Sequence, residues 1–280
     1  MLDISVVVPV RNAENILEDC LESIRRSTPR EVIVVDGLST DSTLEIARRY
    51  TEQILSDEGR GLPAARLLGA KAASSRWVAV IDADVVLPEG ALERLFDEFI
   101  SDGYTALQAG LYSVGDTSYW GKALATHHRW GRSKHWFGLV ATLFEREFLL
   151  EHGFDARFVS GEDIEMRWRL EQAGAKIGVS TRTIVTHRFE NGFAFAWGQW
   201  AADGSGLARM VSKHPLKGLW LLGLPLMAGV RGIGLSLVHR EPRWIPYFVC
   251  FVLFNYMAII RELVGGRRST SARGGGPESS

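Results

Sequence analysis

Apolar positions along the chain recur with two different periods. Short β-branched runs at 4–8 (ISVVV), 32–35 (VIVV) and 77–81 (WVAVI) predict buried strands, because unbroken apolar runs of this length suit strands covered on both faces. Between them the spacing turns helical: Ile16, Leu17, Cys20, Leu21 and Ile24 share one face of a helix that Asn12 can cap and Pro29 follows. A second helix is expected from Asp41 through Leu44, Ala47 and Tyr50, and a third from Ala64 to Ala73. Strand and helix thus alternate, which predicts an α/β fold with a mostly parallel sheet, right-handed crossovers and a ligand site at the carboxyl ends of its strands.

Further along, Pro88 suits the first turn of a helix continued by LERLFDEFI, and Thr105 to Val114 reads as a strand. Helices are expected from Glu145 to His152 and from Glu162 to Ala173, stopped by Gly153 and Gly174. Lys176 to His187 reads as a strand, followed by a glycine- and tryptophan-rich linker, while Tyr119 to Phe137 mixes aromatic and basic residues without a clear period. Two uncharged runs come next, Gly218 to Val230 and Trp244 to Ile260, with Arg231 after the first. The second reaches the short limit for a membrane span, and the first does so only if Arg231 is tolerated. Pro225, Pro246 and five glycines (218, 223, 229, 232 and 234) suit broken or in-plane helices as well as crossing ones. The expected division is an α/β unit at 1–212, membrane-associated apolar helices at 213–264 and a disordered tail at 265–280.

Composition narrows the function classes. Lysine plus arginine (32) nearly balances aspartate plus glutamate (33), so no bulk field favours nucleic acid as a partner, and charge-based binding must be local. Two cysteines, Cys20 and Cys250, do not make a disulfide framework, which points to a reducing, cytosolic side. The N-terminal MLDISVVVPV lacks a basic region and a long apolar core, so it reads as a strand and not as a secretion signal.

The chemistry begins where the run WVAVI ends in Asp82 and Asp84. Alternation along an extended strand would point both carboxylates the same way, roughly 7 Å apart, and two anions aimed at one spot call for a cation. Asp36 ends the second strand, and Asn12 with Glu14 follow the first, so three strand ends bring polar groups to one crevice. Each has a plainer use: Asn12 as a helix cap, Asp36 as a turn starter, Asp-x-Asp by chance. His127, His128 and His135 lie among Trp120, Arg129, Trp130, Arg132, Lys134 and Trp136, a cluster able to stack on a sugar or hold a lipid phosphate, or simply to face a surface helix.

The stretches ISVVVPVRNAEN, EVIVVDGLSTDST, ARLLGA, WVAVIDADVVLPEGAL and GEDIEMRWRLEQAG stand in the order seen in family 2 glycosyltransferases, which the chain resembles over about residues 2–190. The resemblance implies a GT-A fold, with a nucleotide-sugar-binding half at 1–115 and an acceptor-binding half at 116–212. It implies transfer of a sugar from a UDP- or GDP-linked donor with inversion at the anomeric carbon. Position by position, Pro9, Asn12 and Glu14 would line the nucleoside pocket and Asp36 would hold the base. Asp82-Ala83-Asp84 resembles the DXD motif, in which Asp84 would bind Mn²⁺ or Mg²⁺ on the donor diphosphate, with Asp82 and His187 as further ligands. Glu162 and Asp163 match the ED motif, Asp163 as the base that deprotonates the acceptor hydroxyl and Glu162 placing the acceptor, although acids at a helix start also suit the dipole alone. That dipole would lower the pKa of Asp163.

Two departures stand out. Asp36-Gly37-Leu38-Ser39 replaces the commoner Asp-Asp-Gly-Ser, and Ala65-Arg66-Leu67 replaces Ala-Arg-Asn, leaving Arg66 either to meet the diphosphate or to lie on a helix surface. The expected enzyme is a membrane-associated, metal-dependent, inverting transferase whose acceptor is a lipid-linked or cell-surface glycan. Lys213, Lys217, Arg261, Arg267 and Arg268 flank the apolar runs and place the catalytic unit on the cytoplasmic side, although His239, Arg240 and Arg243 between the runs oppose this. Alternatives are transfer directly to polyprenyl phosphate, a metal-dependent nucleotidyltransferase and a non-catalytic membrane scaffold. The sugar is not legible, because specificity loops carry no code.

Overall fold

A computed structural model describes residues 1–272 except 116, 132–135, 156, 159 and 191, with side chains described to residue 265. The chain opens with β1 (Leu2–Val10), α1 (Leu17–Arg26), β2 (Pro29–Asp36), α2 (Thr43–Arg48), β3 (Ile54–Ser56), α3 (Leu62–Ala72) and β4 (Trp77–Ile81). These four strands pair in parallel, as alternation of strand and helix requires. β5 (Val85–Val86), α4 (Ala91–Ser101), β6 (Ala106–Gly115), α5 (Tyr119–Trp130), β7 (Ala141–Glu145), α6 (Arg146–His152), α7 (Glu162–Gln172) and β8 (Ile177–Phe189) complete one eight-stranded sheet, in the order β3-β2-β1-β4-β7-β6-β8-β5. β7 runs antiparallel to both β4 and β6, so the sheet is mixed beyond its parallel half.

Helices cover both faces. On one, Leu17, Cys20, Leu21 and Ile24 of α1 pack with Leu92, Leu95 and Phe99 of α4. On the other, Ala65 and Ala70 of α3 pack with Leu149 of α6 and Met166 of α7. α3 lies so close to β1 that a Cβ at Gly69 would sit 2.2 Å from a methyl of Val7. Both cysteines are free thiols.

Three local expectations fail for physical reasons. Asn12 does not cap α1, which starts after Ile16; it adopts φ 50° and its side-chain oxygen accepts the Thr40 N–H instead. Pro88 precedes the first turn of α4, which begins at Ala91. The glycine-rich linker is the 22-residue helix α8 (Gly192–Lys213). Its glycines weaken helix propensity but allow close packing: a Cβ at Gly206 would lie 2.9 Å from the Cα of Gly161, and one at Gly204 would lie 2.4 Å from the carbonyl oxygen of Asn255. After it come α9 (Pro215–Gly218), α10 (Leu224–Val238) and α11 (Ile245–Ala272). Pro215–Val238 and Pro242–Gly265 are each long and apolar enough to cross a membrane, with mean hydropathy 1.7. The end of the expected disordered tail, from 273, lies outside the described residues.

Candidate active site

Sheet register sets the level of the site. Pro9 of β1 pairs with Val35 beside Asp36, and Val7 pairs with Val80, so Asp82 lies level with Pro9 one strand away. Pro9 can occupy this inner strand because the pairing of β1 with β4 ends at Val7, two residues before its missing N–H. β4 itself stops at Ile81, and Asp82 to Asp84 form a turn in which the Val85 N–H donates to the Asp82 carbonyl (3.1 Å). Strand alternation therefore does not aim the two carboxylates at one point. Each has its own partner.

Asp82 faces Arg66, which is 1% exposed and so neither a surface arginine nor open to a ligand. One guanidinium nitrogen of Arg66 donates to both oxygens of Asp82 (2.9 and 3.0 Å) and another to Glu162 Oε1 (3.0 Å). This buried fork ties the tip of β4 to the start of α7, a use that suits the planar guanidinium and not a lysine. Burial and then the charge of Asp84 push the Asp82 pKa up to about 6, against the pull of Arg66.

Asp84 faces His187, with Oδ2 3.2 Å from Nε2. His187 is 7% exposed; burial disfavours its charged form, but Asp84 and Asp82 outweigh that and raise its pKa. Its register partners are Val85 on β5 and Ser113 on β6. The Ser113 hydroxyl lies 3.4 Å from His187 Nδ1 and 3.1 Å from His128 Nδ1, so a hydrogen-bonded row runs from α5 to Asp84. Asp84 Oδ1 is buried and has no hydrogen-bond partner among the described residues. No group of three or more His, Cys, Asp or Glu able to hold a metal occurs among the described residues. One carboxylate with an unsatisfied oxygen and one imidazole suit a hard divalent ion that takes its remaining ligands from phosphate and water.

Asp163 stands at the second position of α7, after Gly161 in a left-handed conformation (φ 75°). Its carboxyl is half-buried, and burial followed by the charge of Glu162 raises its pKa to about 6 despite bonds from the Ile164 N–H and the Trp136 indole. The expected lowering by the helix dipole is thus reversed: desolvation outweighs it. Trp136 is held by Gln108, whose amide donates to the Trp136 carbonyl (3.0 Å) and accepts from the Gly138 N–H (2.7 Å). Asp203 of α8 is open to solvent on one side, yet partial desolvation and then Asp163 push its pKa to about 7. Gln108, Ser113 and Asp203 carry no signal in local sequence; pairing register and helix packing bring them in.

Asn12, Glu14 and Asp36 form a second group. Asp36 accepts the Leu38 and Ser39 N–H groups, Asn12 accepts from Thr40, and Glu14 accepts the Ser42 N–H (3.0 Å), so all three hold the loop after β2. Asp36 also borders a cavity of about 450 Å³ with Leu44, Arg48, Thr51 and Glu52, which does not reach Asp84 or Asp163. Ala83 is half-buried at the edge of the core. The aromatic and basic cluster resolves into α5: Trp130 stacks on His239, and His127 Nδ1 lies 2.9 Å from the Tyr247 hydroxyl, facing the apolar helices. Arg132, Lys134 and His135 lie outside the described residues.

A half-parallel sheet with linked acidic turns at its strand ends, closed by an antiparallel strand and a second helical half, has the GT-A type of architecture. The chain belongs to glycosyl transferase family 2, whose family model matches residues 5–154, and it is a glycosyltransferase. That match ends before Asp163 and His187. The succinoglycan biosynthesis protein ExoA of Rhizobium meliloti is 28% identical over 232 residues, covering 75% of this chain and 70% of ExoA. The glycosyltransferase GlyA of Streptococcus pneumoniae is 35% identical over 121 residues, covering 41% of this chain and 17% of GlyA. Among solved structures, the mannosyltransferase PcManGT from Pyrobaculum calidifontis, in complex with GDP-Man and Mn²⁺, superposes with TM-score 0.64 at 18% identity, covering 93% of this chain and 87% of that one. Glucosyl-3-phosphoglycerate synthase from Mycobacterium tuberculosis, with Mg²⁺ and UDP, gives 0.55 at 20% identity over 75% and 78%. At these identities the structural likeness establishes the fold. Membership in the family sets aside the nucleotidyltransferase and scaffold readings.

Proposed function

We propose that the chain transfers a sugar, with inversion, from a nucleoside diphosphate donor to a hydroxyl of a lipid-linked acceptor at a membrane surface. The observation that carries this reading is the Arg66 fork, because it joins the Asp82–Asp84 turn to the helix that begins with Glu162 and Asp163. Donor-side and acceptor-side acids are thereby held in one rigid unit.

Within this reading, Asp84 and His187 hold a divalent cation, Mn²⁺ or Mg²⁺, which when bound offsets the charge that develops on a leaving diphosphate. The fold neighbours with Mn²⁺ or Mg²⁺ and a nucleotide support that choice of ion. Asp163 takes the proton of the acceptor hydroxyl, and its pKa of about 6 leaves it ionised at neutral pH yet basic enough to accept. Arg66 and Glu162 position the turn and the helix. Pro9, Asn12, Glu14 and Asp36 shape the nucleoside side by holding the loop after β2. The two apolar helices support a membrane setting, with the catalytic unit on the cytoplasmic face, where confinement to a surface raises the encounter rate with a lipid-linked acceptor.

The test is incubation of membranes bearing the protein with a panel of labelled UDP- and GDP-sugars plus Mn²⁺, followed by lipid extraction and anomeric analysis of the product. One label should enter the lipid fraction with inverted configuration. Retained configuration would refute single displacement, and label that stays water-soluble would refute the lipid-linked acceptor.

A further inference from the structure

We infer that the hairpin of α10 and α11 lies flat on an anionic bilayer surface and does not cross it, an inference that rests on the membrane association proposed above. α11 carries no charge up to Ile260, but its faces differ. Tyr247, Phe248, Phe251, Asn255, Ala258 and Ile259 are buried against the protein, whereas Val249, Leu253, Met257, Ile260 and Val264 recur every three or four residues and stay open. α10 stacks on it through glycines, Gly229 over Val252 and Gly232 over Phe248, and leaves Leu226, Met227, Val230, Leu237 and Val238 exposed.

The buried face of α11 runs beside α8. Trp200 stacks on Phe254 (5.7 Å), Gly204 meets the Asn255 backbone, and Arg209 Nε pairs with Glu262 Oε1 (2.9 Å). On another side α8 touches Gly161, the residue before α7, through Gly206. Were α11 to cross a bilayer, α8 would follow to the same depth, taking Asp203 and the Arg209–Glu262 pair into hydrocarbon beside the start of α7. Charged groups at that depth are strongly disfavoured unless they line a watery cavity. A helix with one protein-packed face and one open apolar face is satisfied at the headgroup boundary instead.

Charge selects the occupant. Residues 224–265, the hairpin itself, hold four arginines against two acids in a chain whose net charge is −1. Both acids are paired, Glu241 with Arg243 and Glu262 with Arg209. Arg231 is exposed within the apolar run and has no ion pair among the described residues. Such a surface attracts anionic lipid headgroups, and a second copy would meet like charge.

The full-length chain with Cys250→Ser, carrying either Arg240→Cys between the helices or Lys71→Cys on α3, is expressed and its membranes are sealed as vesicles of known sidedness. A membrane-impermeant maleimide should label both positions from the same side. Protection of position 240 until detergent is added, with position 71 reactive, would show a crossing and overturn the inference. In parallel, the purified chain with an environment-sensitive fluorophore on Leu253→Cys, in the same Cys250→Ser background, is mixed with phosphatidylglycerol or phosphatidylcholine vesicles. It should bind the anionic vesicles with a blue shift and bind about tenfold more weakly when salt is raised to roughly 0.5 M. Binding without a shift would overturn this face as the contact. Absence from cell membranes and from both vesicles would overturn the membrane reading itself.

Discussion

Asp163 begins α7 with a half-buried carboxyl, and its pKa of about 6 has two consequences of opposite sign. For catalysis, the base proposed here is lost as pH falls through 6, so kcat/KM should drop about tenfold per unit below that point and level off above it. For folding, a pKa above the ordinary aspartate value of 3.8 means the native state holds its proton more tightly, so this group's contribution turns unfavourable as pH rises from about 4 to 6. Asp163→Asn should therefore cut kcat by about 10²–10⁴-fold while raising the melting temperature at pH 7, a pair of changes that calorimetry and a transfer assay read together. Ser113 offers a second check. Its hydroxyl sits between the Nδ1 atoms of His187 and His128 and holds the His187 ring with Nε2 toward Asp84. Ser113→Ala should weaken Mn²⁺ binding about 10–100-fold by titration calorimetry, with the fold unchanged by circular dichroism.

Helix α7 is held at its start by two devices, the Arg66 fork and the contact of Gly161 with Gly206. A Cβ at Gly161 would lie 2.7 Å from the Gly206 Cα, and its φ of 75° disfavours any other residue. Gly161→Ala should lower the melting temperature by several degrees and reduce kcat, because the base proposed at Asp163 moves with the helix end. Arg66→Met leaves Glu162 and Asp82 as buried, unmatched anions and should cost about 3–5 kcal/mol in denaturant unfolding. Legibility in the sequence followed the same division. The elements with strong periodicity, β1, β2, β4, α1 and α4, were readable because their burial repeats along the chain, and α7 was readable from the acids at its start and Gly174 at its end. α8 and β7 were not, since glycines that permit close packing look like breakers and ATLFE is too short to announce itself. The ion pair of Asp82 with Arg66, the tie of Arg66 to Glu162 and the contact of Ser113 with His187 were equally hidden, because register and crossing make them, not neighbouring letters, whereas His187 beside Asp84 was legible through the family resemblance.

For the molecule as a whole, the parallel half, the antiparallel closure and the apolar hairpin meet around α8, which touches the start of α7 on one side and α11 on another. The proposed donor site, the proposed base and the apolar hairpin are thus mechanically adjacent in a single chain. The central claim is that Asp84 on the donor side and Asp163 on the acceptor side serve one metal-dependent sugar transfer. Its most direct measurement is label transfer from nucleotide-sugar to lipid by wild type, Asp84→Ala and Asp163→Asn, with Mn²⁺ and with chelator, each variant first shown to be folded. Wild type with Mn²⁺ should transfer, and chelated wild type and both variants should fall by about 10² or more. Transfer that persists with chelator, or in either folded variant, would contradict the account.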